Sequence, residues 1–161
     1  MIVGLVVVLG ASTAKVEQLS AAVATAPTVG CGGVAMGVVV NGREPGARRV
    51  LGVVSAPRSY LANVGSEPPA APFRFWTKAG IDVRAGAAVT VTVARRWQSL
   101  VRITWGREEG TTLRFAHCSL GAKWNPYPGG FLSRTAAVCV PLIFTAEHRR
   151  ATLLFGVGRR C

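Results

Sequence analysis

Two stretches with alternating residue types decide the fold class: VTVTV at Val89–Val93 and VRITW at Val101–Trp105. In each stretch an apolar side chain recurs at every second position, which is the period of a β-strand with one buried face and one wet face. Turn residues return at short intervals on both sides of them. No stretch shows the sustained apolar stripe of an amphipathic helix. The chain is therefore predicted to be all-β, either an antiparallel β-sandwich or a small barrel.

The last third of the chain continues this pattern. Further strands are predicted within residues 113–115, 138–144 and 151–157. Pro141 interrupts one of them, and because proline donates no backbone hydrogen bond, it predicts an edge strand or a bulge. Residues 119–134 carry glycines and prolines without alternation and are predicted to form one long loop.

The N-terminal part is organised differently. Residues 1–33 combine an apolar stretch with small residues and are predicted to be an export signal or a membrane anchor, followed by a linker. A buried strand is the alternative interpretation of that apolar stretch. A single β-domain is predicted over 34–161, with irregular strands and a proline-rich loop over 34–72 and a compact core over 73–161.

Four cysteines after an apolar leader indicate an oxidising compartment and two disulfide bonds, and hence an extracellular or cell-envelope location. Pairing of Cys118 with Cys139 is preferred, because it closes the predicted loop. By the chain-entropy argument, a loop of about 20 residues closed in this way stabilises the fold by roughly 3 kcal/mol. This choice leaves Cys31 to pair with Cys161, and the other two connectivities stay open.

The charge balance is strongly basic, with 19 Lys and Arg against 7 Asp and Glu and a net charge of +12. One interpretation is compositional, since a GC-rich genome favours arginine codons. The other is attraction to an anionic wall polymer, lipid headgroups or nucleic acid. The candidate contacts are three arginine pairs that are expected to cluster at strand ends: Arg95, Arg96, Arg149, Arg150, Arg159 and Arg160.

Nucleic acid is the least favoured of these partners. Arg96 beside Trp97 resembles the combination that single-strand binders use, a cation next to a stacking ring. However, the sequence contains no helix for a DNA groove and no recognisable binding motif. Disulfides and export also place the chain away from most nucleic acid.

The predicted loop carries a second candidate site, formed by Trp124, Asn125 and Tyr127. Aromatic faces stack on the apolar faces of sugar rings while polar groups orient them, so these residues are a candidate platform for wall polysaccharide. The alternative is that the aromatic side chains fold back beneath the loop as a plug.

The sequence offers no catalytic constellation. Its two histidines lack a supporting carboxylate cluster, and its only adjacent carboxylates are Glu108 and Glu109. No nucleophile elbow, zinc-protease helix or phosphate-binding loop is present. We therefore expect a protein that is not an enzyme, without a metal site or a cofactor.

Residues 75–161 have a recognisable cadence. It includes RFAHC at 114–118, GGF at 129–131, CVPL at 139–142 and FGVGRRC at 155–161. The cadence resembles a group of exported β-proteins from GC-rich Gram-positive bacteria, and the resemblance implies export without implying any activity. A secreted or cell-envelope binding or structural protein is thus the expected function. The alternative is an arginine-rich module that binds polyanions.

Overall fold

The computed structural model describes residues 26–35, 45–62, 64–65 and 72–161, so most of the predicted leader lies outside the described residues. The described residues form fourteen β-strands and two short 3-10 turns. Within them, no helix is long and apolar enough to cross a membrane. The prediction of an all-β fold is confirmed. The strands are β1 (Thr28–Val29), β2 (Arg48–Val50), β3 (Val54–Ala56), β4 (Tyr60–Leu61), β5 (Phe75–Lys78), β6 (Ile81–Arg84), β7 (Val89–Val93), β8 (Val101–Trp105), β9 (Glu108–Gly110), β10 (Thr112–Phe115), β11 (Trp124–Tyr127), β12 (Gly129–Ser133), β13 (Val138–Ala146) and β14 (Arg149–Val157).

One layer is a six-stranded sheet in the order β1-β10-β7-β13-β14-β4. Its inner strand pairs are antiparallel, whereas the short strands β1 and β4 run parallel to their neighbours. Both outermost strands come from the N-terminal part of the chain, so the β-fold already includes Thr28, which precedes the predicted boundary at residue 34. The two short strands cover edges that would otherwise be open to pairing with another chain.

The other layer consists of two four-stranded sheets, β11-β6-β3-β2 and β5-β12-β8-β9. They are joined because β5 leads into β6, and β11 into β12, without a change of register. Ile81 lies opposite Tyr127 and, three residues away on both strands, Lys78 lies opposite Gly130. The N–H of Ala79 bridges the junction by donating to the carbonyl of Gly129 at 2.7 Å. The two sheets therefore form one continuous, bent layer.

Aromatic side chains fill the space between the two layers. The ring of Phe115 lies 6.1 Å from Trp105 and 4.9 Å from Tyr127, and Phe155 lies 5.5 Å from Phe131. Each of these pairs joins the six-stranded sheet to the bent layer. Edge-on and tilted ring pairs of this kind are favourable beyond the apolar area that they bury. The described residues thus form a β-sandwich with one core.

Arg48 closes one side of this core. Its guanidinium lies 4.3 Å from the ring centre of Phe155 and donates to the carbonyls of Pro57 at 3.3 Å and Leu154 at 3.1 Å. Burial lowers the pKa of Arg48 below its ordinary value because desolvation disfavours the charged form. The side chain therefore links β2 of the bent layer to β14 of the six-stranded sheet.

Pro141 was predicted to mark an edge strand or a bulge, and this prediction was wrong. β13 is an interior strand, paired with β7 on one side and β14 on the other. Pro141 is tolerated because β7 stops pairing at Val93, opposite Leu142. The carbonyl of Pro141 still accepts a hydrogen bond from the Ala94 N–H at 3.0 Å, where the chain turns away.

The predicted disulfide pairing was also wrong, because the bonds join Cys31 to Cys118 and Cys139 to Cys161. β1 lies beside β10, and the Ala116 N–H donates to the Val29 carbonyl at 3.0 Å. This contact brings the residues that follow the two strands together, with the Cα atoms of Cys31 and Cys118 5.5 Å apart.

The second disulfide fixes the C-terminal tail against the sheet. Cys139 lies opposite Gly156, and the chain turns back beyond β14 through Gly158, which has a positive φ of 67°. A Cβ on Gly156 would overlap the Arg159 carbonyl and approach the Sγ of Cys161 to 3.0 Å. The glycine thus leaves the space in which the tail folds back over the sheet.

Candidate polyanion-binding surface

The predicted aromatic platform does not lie on an exposed loop. Trp124, Asn125 and Tyr127 all belong to β11, and their side chains are only 2%, 2% and 1% exposed. The guanidinium of Arg49 lies 4.2 Å from the ring centre of Trp124, and the Asn125 amide donates to the Cys118 carbonyl at 3.0 Å. These side chains therefore offer no free ring face to a sugar. Residues 119–134 were predicted to be one long loop, but they contain the two strands β11 and β12.

Proline is usually excluded from interior strands, but β11 accommodates one because it is at the edge of its sheet. Pro126 lies opposite Asp82 of β6, and no further strand of the described residues follows on its other side. Its carbonyl accepts a hydrogen bond from the Ala35 N–H at 2.9 Å. Proline is compatible with such positions because only one side of an edge strand needs a complete ladder.

Two of the three arginine pairs meet at one end of the sandwich. Arg95 and Arg96 follow β7, next to the hydrogen bond from Ala94 to Pro141 near the start of β13. Arg159 and Arg160 follow β14, whose last residue Val157 lies opposite the first residue of β13. The topology therefore places both pairs near the same strand ends.

The third pair lies at the opposite end, which corrects the expectation that all three cluster. Arg149 and Arg150 begin β14 opposite Ala146 and Thr145, at the far end of β13. Arg149 is also occupied, since it donates to the Leu51 carbonyl at 2.8 Å and lies 3.5 Å from the Glu147 carboxylate.

Arg134 joins the first two pairs, although the sequence showed no signal for it. Its N–H donates to the carbonyl of Leu100 at 3.0 Å, in the turn that carries Arg95 and Arg96. Two residues further on, the carbonyl of Ala136 lies against Gly158 at the start of the tail. The residues of this surface, called the basic end below, are all exposed: Arg95, Arg96, Arg134, Arg159 and Arg160.

Three of these guanidinium groups are held by aromatic rings. Arg96 lies 5.1 Å from the ring centre of Trp97. Arg134 lies 5.5 Å from Phe73, and Arg160 lies 5.3 Å from Tyr60. Stacking on a ring restricts the motion of a guanidinium and leaves its N–H edge available for bidentate contact with an anion.

The arginines of the basic end have no ion-pair partner among the described residues. The two ion pairs among the described residues join Arg102 to Glu109 at 2.8 Å and Arg149 to Glu147. Because neither pair involves the basic end, its five exposed arginines are not neutralised by carboxylates of the described residues. Like charges grouped on one surface attract oppositely charged groups by long-range electrostatics.

No cluster of three metal-binding side chains occurs within the described ranges. All four cysteines take part in disulfides, which leaves no free thiol.

Together these features define a disulfide-bonded, all-β sandwich with one strongly basic end. Comparisons of the chain with protein family models, with curated proteins and with solved structures found no match.

Proposed function

We propose that this protein is a binding module for anionic polymers of the cell envelope or the extracellular space, with the basic end as its contact surface. The observation that carries the proposal is the set of exposed arginines at one end, three of them stacked on rings and all without carboxylate partners among the described residues. The aromatic side chains of β11 are buried, which favours the basic end over the aromatic platform as the contact surface.

The two disulfides support a location outside the cytosol, where such bonds persist. That location favours an acidic wall polymer over nucleic acid. The stacked arginines suit carboxylate and phosphate groups equally, since both accept two parallel N–H bonds from one guanidinium. Contacts of this kind position a polymer without reading a sequence.

The test removes positive charge from the basic end. The resulting loss of affinity is compared with the loss caused by removing the same charge elsewhere. The variant R95Q/R96Q/R159Q/R160Q is expected to bind polygalacturonate and polyglutamate more weakly at low salt, by about 2–3 kcal/mol for the four exposed contacts together. The wild-type affinity is expected to fall steeply as salt rises, and the variant should show a much shallower dependence. Titration calorimetry at several salt concentrations measures both quantities.

The matched control is R84Q/R107Q/R114Q/R150Q, which removes the same charge from exposed arginines outside the basic end. We expect it to retain most of the wild-type affinity. Equal losses in both variants would show that net charge alone drives binding, and the proposed surface would then be wrong.

A further inference from the structure

A sixth arginine lies beside the basic end. Arg102 of β8 is opposite Leu132 of β12, two residues before Arg134. The guanidinium groups of Arg102 and Arg134 both lie against the ring of Phe73, at 4.9 and 5.5 Å from its centre. A ligand that contacts Arg134 can therefore reach Arg102 as well.

Arg102 differs from the arginines of the basic end because a carboxylate already occupies it. Its Nη1 group donates to Oε1 of Glu109 at 2.8 Å, which is the only hydrogen bond of this side chain within the described structure. A guanidinium carries five N–H donors, so a single bond leaves most of them unused. Glu109 thus binds Arg102 in the way that a carboxylate of an acidic polymer would.

The ion pair between Arg102 and Glu109 is exposed enough to be exchanged. The two side chains are 46% and 43% exposed. Pairs of this kind contribute little to stability, because water screens the attraction and two long side chains must be held in place. A polymer carboxylate that accepts two parallel N–H bonds makes a stronger contact than the single bond to Glu109. A polymer already held at the basic end also supplies its next carboxylates at high effective concentration.

The other ion pair of the described residues is in a different position. Glu147 lies 3.5 Å from Arg149 at the opposite end of the sandwich. Arg149 also donates to the Leu51 carbonyl at 2.8 Å, so it keeps a partner when the carboxylate is lost. The pair at Arg149 is therefore out of reach of a ligand at the basic end and provides a matched comparison.

We propose that Arg102 is a further binding residue next to the basic end and that Glu109 competes with the ligand for it, an inference that rests on the proposed function. A carboxylate of the polymer takes the place of the Glu109 carboxylate at Arg102, and Glu109 turns to solvent. Glu109 lowers the affinity for every anion at this position. The competition favours polymers with closely spaced carboxylates, such as polyuronates, over single carboxylate ions.

Glu109→Gln tests the proposal, because it removes the competing charge and keeps the size of the side chain. At about 0.15 M salt the Debye length is about 8 Å, so distant charges contribute little to the affinity. Under these conditions we expect E109Q to bind polygalacturonate about 3-fold more tightly than the wild-type protein. Titration calorimetry gives both dissociation constants. The control Glu147→Gln removes the same charge from the other ion pair and should leave the affinity unchanged.

A double-mutant cycle with Arg102→Gln separates the release of Arg102 from the loss of a repelling charge. If the polymer contacts Arg102, Glu109→Gln should raise the affinity less in the R102Q variant than in the wild-type protein. An equal gain in both backgrounds, or an equal gain from Glu147→Gln, would overturn the inference.

Arginine modification by phenylglyoxal provides a second measurement on the E109Q variant. Bound polygalacturonate should protect Arg102 of this variant, while the exposed Arg107 stays reactive. An Arg102 that stays reactive beside bound polymer would overturn the contact at Arg102 and leave the basic end standing. If the wild-type protein binds no polygalacturonate at low salt, the proposed function itself is wrong.

Discussion

Removal of the disulfide between Cys31 and Cys118 by the double substitution C31S/C118S is expected to lower the free energy of unfolding by about 4–5 kcal/mol. The bond joins residues 87 positions apart, so its loss greatly enlarges the conformational freedom of the unfolded chain. It also secures β1, a strand of only two residues at the edge of the six-stranded sheet. Without it, β10 is expected to become available for pairing with another molecule.

Urea unfolding under non-reducing conditions measures this effect. The comparison variant is C139S/C161S, which opens a bond across only 22 positions and is expected to lose about 3 kcal/mol. A larger loss in the comparison variant than in C31S/C118S would contradict the role assigned to β1 and its disulfide.

Gly130→Ala is expected to destabilise the fold by about 3 kcal/mol. A Cβ at this position would overlap the Thr77 carbonyl and lie 2.9 Å from the Ala79 nitrogen. Both obstacles are backbone atoms of the neighbouring strand, so no flexible side chain can move aside. The substitution therefore strains the continuous ladder that joins the two halves of the bent layer.

Gly32→Ala is the matched control, because a Cβ at Gly32 meets no atom within 4 Å. It should change the free energy of unfolding by no more than about 0.5 kcal/mol. Thermal and urea unfolding of both variants make the comparison. Equal stability of the two would show that β5 and β12 do not approach each other as closely as described.

The strands with strict alternation were predictable from the sequence. β7, β8 and β13 lie where the pattern places them, because every second residue of each is buried against the core. β11 and β12 were missed. Their residues include Pro126 and Gly130, which the local sequence marks as a loop. The proline is allowed by an edge position and the glycine by a close backbone approach, both of which depend on tertiary structure.

The disulfide connectivity could not be predicted from local sequence patterns, because it also depends on tertiary structure. Loop length favoured pairing of Cys118 with Cys139, but the actual partners are decided by which strands are neighbours. β1 has only two residues and no alternation to reveal it. Its place beside β10, which brings Cys31 to Cys118, follows from the order of the sheet.

The basic end was predictable in part. The arginine pairs are visible in the sequence, but the antiparallel course of β13 and β14 decides that Arg149 and Arg150 lie at the other end. Arg134 is a single arginine in a segment that was predicted to be a loop, so the search for arginine pairs did not identify it. Its stacking on Phe73 unites residues from segments that are distant in the chain.

Arginine modification by phenylglyoxal, mapped by mass spectrometry with and without bound polygalacturonate, is the most direct test of binding at the basic end. We expect the polymer to protect Arg95, Arg96, Arg134, Arg159 and Arg160, while Arg107, Arg114 and Arg150 stay reactive. Protection of the second group, or equal protection of both, would contradict binding at the basic end.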